Sequence, residues 1–146
     1  MSDIVLRVAA KGVILNEKDQ VLIVREANTY EEGTNIGKWG IPGGRIELGE
    51  AFYDGLAREM REEVGLEVEP LQPIFIGEWR PVIKDVPHQI VALFVACRAV
   101  SKGVILSDEH DAFAWVDQET MHEYPFMAPD NEVLRQCFKT VGGGNG

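Results

Sequence analysis

Apolar side chains recur at every fourth position in Phe52, Leu56, Met60 and Val64, and Gly65 follows the last of them. A period near 3.6 is helical, and a glycine just past the final apolar position is a stop signal. The spacing predicts one helix over residues 51–64. On both sides of it the chain has another character. Residues 4–15 are rich in Val, Ile and Ala, and Asn16-Glu17-Lys18-Asp19 reads as a turn before the β-type run Val21-Leu22-Ile23-Val24. Pro73 to Trp79 and Gln89 to Ala99 read as strands, and Phe113 to Val116 as a shorter one. Residues 129–139 open with Asp130 and Glu132 and go on with apolar spacing, which predicts a closing helix. One helix among strands and a second after them give an α+β class, arranged as an α/β/α sandwich on a mixed sheet.

With 146 residues the chain fits one domain, expected over residues 1–141, followed by a mobile glycine-rich tail at 142–146. Residues 26–38, which include Gly33 and Gly37, read as a polar surface loop. The longest apolar run, Ile90 to Cys97, is far short of a membrane span, and the N-terminus lacks the layout of a signal peptide. The expectation is a cytoplasmic protein with no membrane partner. Cys97 and Cys137 lie 40 residues apart without close-spaced partners, which argues against a zinc site or a disulfide framework. The three histidines, His88, His110 and His122, show no metal-ligand spacing and are left unassigned.

The chain holds 24 acidic against 14 basic residues, a formal charge of −10. Such a balance repels a polymer of phosphates and argues against DNA or RNA binding. An acidic protein can still hold a small phosphorylated molecule if cations bridge the two, which directs attention to clustered carboxylates. Glu59, Glu62 and Glu63 fall within an arc of roughly 100° on the expected helix, beside the apolar stripe. Like charges three and four residues apart cost a few tenths of a kcal/mol per pair, and the helix dipole disfavours anions in the C-terminal half. A bound divalent cation would offset that cost. Taken alone, an acidic helix face is usually solvated, here with Arg58 and Arg61 interspersed as partners.

The residues around that face change the weighing. Gly44 is followed after five residues by Glu50, then after seven by Arg58-Glu59-Met60, then by Glu62-Glu63 and Gly65-Leu66. This resembles the Nudix hydrolase signature, G-x5-E-x7-R-E-U-x-E-E-x-G-U with U a bulky apolar residue, at every position from Gly44 to Leu66. Seven fixed residue types and two apolar positions would arise by chance on the order of once in a million chains or less. The approach Trp39-Gly40-Ile41-Pro42-Gly43-Gly44 also looks like the strand-to-loop entry common in that family, and does not match a P-loop.

The resemblance implies a Nudix-type fold with a catalytic loop-helix-loop and a hydrolase of nucleoside diphosphates linked to another moiety. By similarity, Glu62 and Glu63 ligate Mg²⁺ or Mn²⁺, with the Gly43 carbonyl as a further ligand. Glu59 is a ligand or the general base. Glu50 supports the ligands or holds a second metal, and Arg58 orients the neighbouring carboxylates. Glu109, in Ser107-Asp108-Glu109-His110-Asp111, is the rival base or an added ligand, and an exposed acidic loop is the plain alternative. Family members often pair, so the resemblance also admits a homodimer.

For the substrate, the residues offer two conflicting clues. Asn131, at the start of the last helix, resembles the base-reading Asn of mutator-type pyrophosphohydrolases, although a helix-start role explains it as well. Pro81, fifteen residues past Leu66, resembles a proline of ADP-ribose hydrolases, without the residues that follow it there. Trp39, Trp79 and Phe126 offer rings to a base, although strand aromatics usually sit in cores. The substrate contacts expected are Asn131, Trp79 and Gly44. The leading expectation is hydrolysis of an ordinary or oxidised nucleoside triphosphate. The alternatives are an ADP-ribose or nucleotide-sugar pyrophosphatase and a nucleotide-binding regulator without turnover.

Overall fold

The computed structural model describes residues 3–27 and 36–143. In chain order the elements are β1 (Val5–Leu15), β2 (Val21–Glu26), β3 (Trp39–Gly40), β4 (Gly43–Arg45), α1 (Phe52–Val64), β5 (Val68–Trp79), β6 (Val82–Ile83), β7 (Val86–Ala99), β8 (His110–Val116), a 3₁₀ turn (Thr120–Glu123) and α2 (Asp130–Gly143). Most of the expected 26–38 loop, with Gly33, lies outside the described residues, as do residues 144–146 of the expected tail. None of the described helices is long and apolar enough to cross a membrane.

The sheet is mixed, in the order β3-β2-β1-β7-β5, with β4 beside β1, β6 beside β7 and β8 beside β2. β1 and β7 run parallel over their whole facing length, from Val5 opposite His88 to Leu15 opposite Arg98. Alternation along β1 then sorts its side chains between two cores. Ala9, Val13 and Leu15 pack with Val133, Leu134, Cys137 and Phe138 of α2. Ala10 and Ile14 pack with Leu56, Met60 and Val64 of α1. One helix therefore covers each face, which is why β1, β2 and β7 read as nearly continuous apolar runs.

The first hairpin turns where the sequence places it. Asn16 Oδ1 accepts from the backbone N–H of Lys18 and of Gln20, both at 3.0 Å. The expected first helix forms as well, and its cap explains the stop at Gly65. That residue takes φ +69°, a left-handed conformation natural to glycine, and its N–H donates to the Arg61 carbonyl at 3.0 Å.

Several elements differ from the sequence expectation: β6 has no counterpart in it, and β7 begins at Val86, ahead of Gln89. β5 begins at Val68, ahead of Pro73, and runs through both Pro70 and Pro73 with a register irregularity near each. Proline cannot donate to a ladder, so the strand tolerates it by bulging. β8 begins at His110, ahead of Phe113, because its pairing with β2 reaches Glu26 through a register shift. The closing helix continues past residue 139 to Gly143.

Candidate metal centre and substrate cleft

α1 carries the carboxylates, and its packing fixes where they point. Leu56, Met60 and Val64 are fully buried. Each such side chain contributes about 1.5–3 kcal/mol, against a few tenths for each like-charge pair, so packing dictates the helix and the acids follow. Met60 lies directly over Gly12 of β1, where a Cβ would collide with its sulfur. That close approach presses the acidic edge of α1 towards the loop between β3 and α1.

Gly43, which opens β4 in that segment, has φ +152°, and a Cβ there would strike the backbone of Ala10 and Lys11. A Cβ on Gly44 would lie 2.5 Å from Glu59 Oε2 and 2.8 Å from its Oε1. Both glycines are therefore required by space: the first by a strand, the second by a carboxylate. Ile41 is anchored from the opposite layer, its N–H donating to Asp130 Oδ2 at 2.8 Å. Asp130 is almost wholly buried, and that burial pushes its carboxyl above the usual range.

Arg58 organises the outer half of the cluster. Its Nε donates to Glu50 Oε2 at 2.7 Å and its Nη2 to Glu50 Oε1 at 3.0 Å. Its Nη1 donates to Glu59 Oε1 and to Glu62 Oε2, each at 3.0 Å, and Nη2 also reaches the Arg45 carbonyl at 3.2 Å. The Arg58 hydrogen bond holds the Glu50 carboxyl down at about 2. Glu59 moves the other way, raised by burial and by the Glu63 charge against the pull of Arg58.

The inner half is built on Glu63, which is buried. Ser107 Oγ donates to Glu63 Oε2 at 3.0 Å, and His110 Nδ1 stands 3.2 Å from the same oxygen. The approach of His110 lacks hydrogen-bond alignment, so its Nδ1 is buried without a hydrogen-bond partner among the described residues. Burial opposes ionisation of Glu63, yet its contacts with His110, Glu109 and Ser107 prevail and hold its carboxyl below the ordinary value. Glu109 is pushed up to about 8, by burial first and then by Glu63 beside it.

These residues share a cleft of about 780 Å³, lined by Gly43, Gly44, Glu59, Glu62, Glu63 and Glu109 together with Lys11, Arg7, Ile90 and Trp79. Arg7 faces Ile90 across the β1–β7 ladder, and Ile90 faces Trp79 across β5–β7. Lys11 lies four residues along β1, opposite Gly43 of β4, which separates the two ends of the cleft by roughly 13 Å.

Of the residues singled out in the sequence, Gly43, Gly44, Arg58, Glu59, Glu62, Glu63, Trp79 and Glu109 line this cleft. Glu50 stands behind it, bonded to Arg58. Asn131 is partly buried at the start of α2 and does not line the cleft. Trp39 is packed edge-on against Tyr124 with ring centroids 4.8 Å apart, and Phe126 packs against the core. Sequence reasoning passed over Lys11, Arg7, Asp130, Ser107 and His110. A lone lysine inside the apolar run Val8 to Leu15 was the available signal for Lys11, and Ser107 and His110 flank Glu109 in the acidic segment already singled out.

The arrangement fits a divalent cation. The donors are carboxylate oxygens with a backbone loop held against them, the set that Mg²⁺ and Mn²⁺ favour, and the buried His110 nitrogen has no aligned partner of its own.

Comparison with known proteins identifies the family. The family model described as NUDIX domain matches residues 5–137. The chain is similar to the nucleoside triphosphatase NudI of Klebsiella pneumoniae, with 30% identity over 131 residues that cover 83% of this chain and 89% of that protein. It is 41% identical over 67 residues to the 8-oxo-dGDP phosphatase NUDT18 of Mus musculus; the match covers 46% of this chain and 20% of that protein, so it spans only a fifth of the relative's length. Among solved structures it resembles the MutT protein of Methanosarcina mazei Go1, with 25% identity, a TM-score of 0.78 and 99% of each chain covered.

Proposed function

The chain belongs to the NUDIX domain family, and from that membership we propose that it hydrolyses a phosphoanhydride bond of an ordinary or oxidised nucleoside triphosphate, releasing a nucleoside monophosphate and pyrophosphate. The observation that carries the reading is the cleft itself. Four carboxylates, Glu59, Glu62, Glu63 and Glu109, line it with Gly43 and Gly44 of β4, and Arg7 of β1 and the Trp79 ring of β5 line its other end. A volume of about 780 Å³ suits one nucleotide-sized ligand.

Glu62, Glu63 and the Gly43 carbonyl would hold the cation, Mg²⁺ or Mn²⁺, with Glu59 as a further ligand or as the general base. When bound, such an ion neutralises charge on the diphosphate and lowers the pKa of water. The protein's own groups do the rest. Arg58 fixes the Glu59 and Glu62 carboxylates while Glu50 fixes Arg58. Water attacks phosphorus, the bond to the bridging oxygen breaks towards the pyrophosphate, and the water's proton passes to a carboxylate. Glu109 and Glu59 line the cleft and are the two carboxylates placed to take it, Glu59 only where it serves as the base in place of a ligand. Lys11 adds a positive charge beside Glu109. Trp79 supplies a ring for the base. A substrate drawn from the nucleotide pool goes with a cytoplasmic location.

The test is turnover with Mg²⁺ against 8-oxo-dGTP, the eight common triphosphates, ADP-ribose, GDP-mannose and dinucleoside polyphosphates. Pyrophosphate release from a triphosphate is expected. Turnover confined to ADP-ribose or GDP-mannose overturns the substrate class, and tight binding with no release from any of them overturns the hydrolase.

A further inference from the structure

We propose that His110 supplies a nitrogen ligand to the cation of this centre, making it a mixed oxygen and nitrogen site that favours Mn²⁺ over Mg²⁺. The inference rests on the metal-dependent reading above and deepens it. His110 opens β8 and is fixed there by pairing with Glu26 of β2 and by its own N–H, which donates to the Ser107 carbonyl at 3.2 Å. The ring is mostly buried, with 15% of the side chain exposed.

Three ligand-capable atoms, one each from Glu63, Glu109 and His110, lie within 4.8 Å of one another. Two ligands of one ion at about 2.0–2.2 Å from it are at most about 4.4 Å apart, so a small side-chain adjustment brings the set around a single cation. His110 Nδ1 is also the buried side-chain atom left without a hydrogen bond among the described residues. Glu63 Oε2 stands 3.2 Å away but out of line, and Ser107 Oγ already donates to that oxygen at 3.0 Å. The imidazole nitrogen faces two carboxylates without an aligned hydrogen-bond partner, and a cation satisfies all three groups together. Imidazole suits first-row transition ions better than Mg²⁺, which keeps to oxygen, and Mn²⁺ is the ion of that series that also favours the carboxylates here.

The experiment loads the full chain with Mn²⁺ alone and records its electron spin-echo envelope modulation. Modulation from a directly coordinated nitrogen is expected in the unaltered protein, and labelling histidine with the heavier nitrogen isotope should change its frequencies. His110→Gln should abolish it while Mn²⁺ still binds to the carboxylates, and by calorimetry the preference for Mn²⁺ over Mg²⁺ should fall about tenfold or more. Bound Mn²⁺ without nitrogen modulation, or modulation that survives in His110→Gln, overturns the ligand assignment and leaves the hydrolase reading intact. Failure of the unaltered protein to bind Mn²⁺ at all overturns both.

Discussion

Arg58 grips Glu50 with two parallel hydrogen bonds, Nε to Oε2 at 2.7 Å and Nη2 to Oε1 at 3.0 Å. Glu50 lies just before α1 and Arg58 in its middle, so the pair ties the approach loop to the carboxylate helix. The same guanidinium then reaches Glu59 and Glu62. A lysine has one nitrogen and cannot serve three acids in one plane. Arg58→Lys is therefore expected to lower kcat by about 10–100-fold with the fold retained, read by steady-state kinetics beside circular dichroism.

Glu62 and Glu63 should be separable from stability. Glu62→Gln and Glu63→Gln are nearly isosteric, and each is expected to lose about 100-fold or more in turnover while melting close to the parent. Near-parental turnover in both variants would falsify their role in holding the metal.

Gly44→Ala isolates the position of one carboxylate. The three heavy atoms nearest the added methyl all belong to the Glu59 carboxylate, 2.5–2.8 Å away. Glu59 can swing aside, so the melting temperature should change by no more than a few degrees while activity falls about tenfold or more. Gly43→Ala meets backbone and carries positive φ, and should lower stability itself. If Gly44→Ala kept full activity, the tight seat of Glu59 would be irrelevant to chemistry.

The metal-free protein should lose stability as pH rises. The folded state holds the Glu109 proton up to about 8, far above an unfolded glutamate, because of burial and then the adjacent Glu63. Folding therefore binds that proton more tightly. The stabilisation is complete below the ordinary carboxylate pKa and disappears as pH climbs through about 8. Melting temperatures measured from about pH 6 to about pH 9 should fall for the metal-free chain. Saturating Mn²⁺ or the change Glu109→Gln should flatten the slope. A slope unchanged in Glu109→Gln would place its origin elsewhere.

Much of the fold was legible because its signals are local. A four-residue apolar period, a glycine at the helix end and an Asn-led turn each act within a few residues, and the structure has α1, its Gly65 cap and the first hairpin where they point. Strand boundaries were less legible. β5 starts early because bulges absorb Pro70 and Pro73, and β8 starts early because β2 offers a partner as far as Glu26. Strand limits are set by the neighbour, which a single segment does not specify.

The same division runs through the candidate site. One turn of helix is enough to put Glu59, Glu62 and Glu63 on a common edge, so the sequence by itself determined that acidic face, its arginine and its glycine-lined approach. Only the tertiary structure decided what the face meets. The parallel pairing of β1 with β7 sets Arg7 and Lys11 in line with Ile90 and Trp79, and the β2–β8 pairing carries Glu109 and His110 to Glu63 from more than forty residues away. Those contacts depend on strand register and on two helices covering opposite faces. Register comes from burying the whole sheet at once, and no short stretch of residues records it.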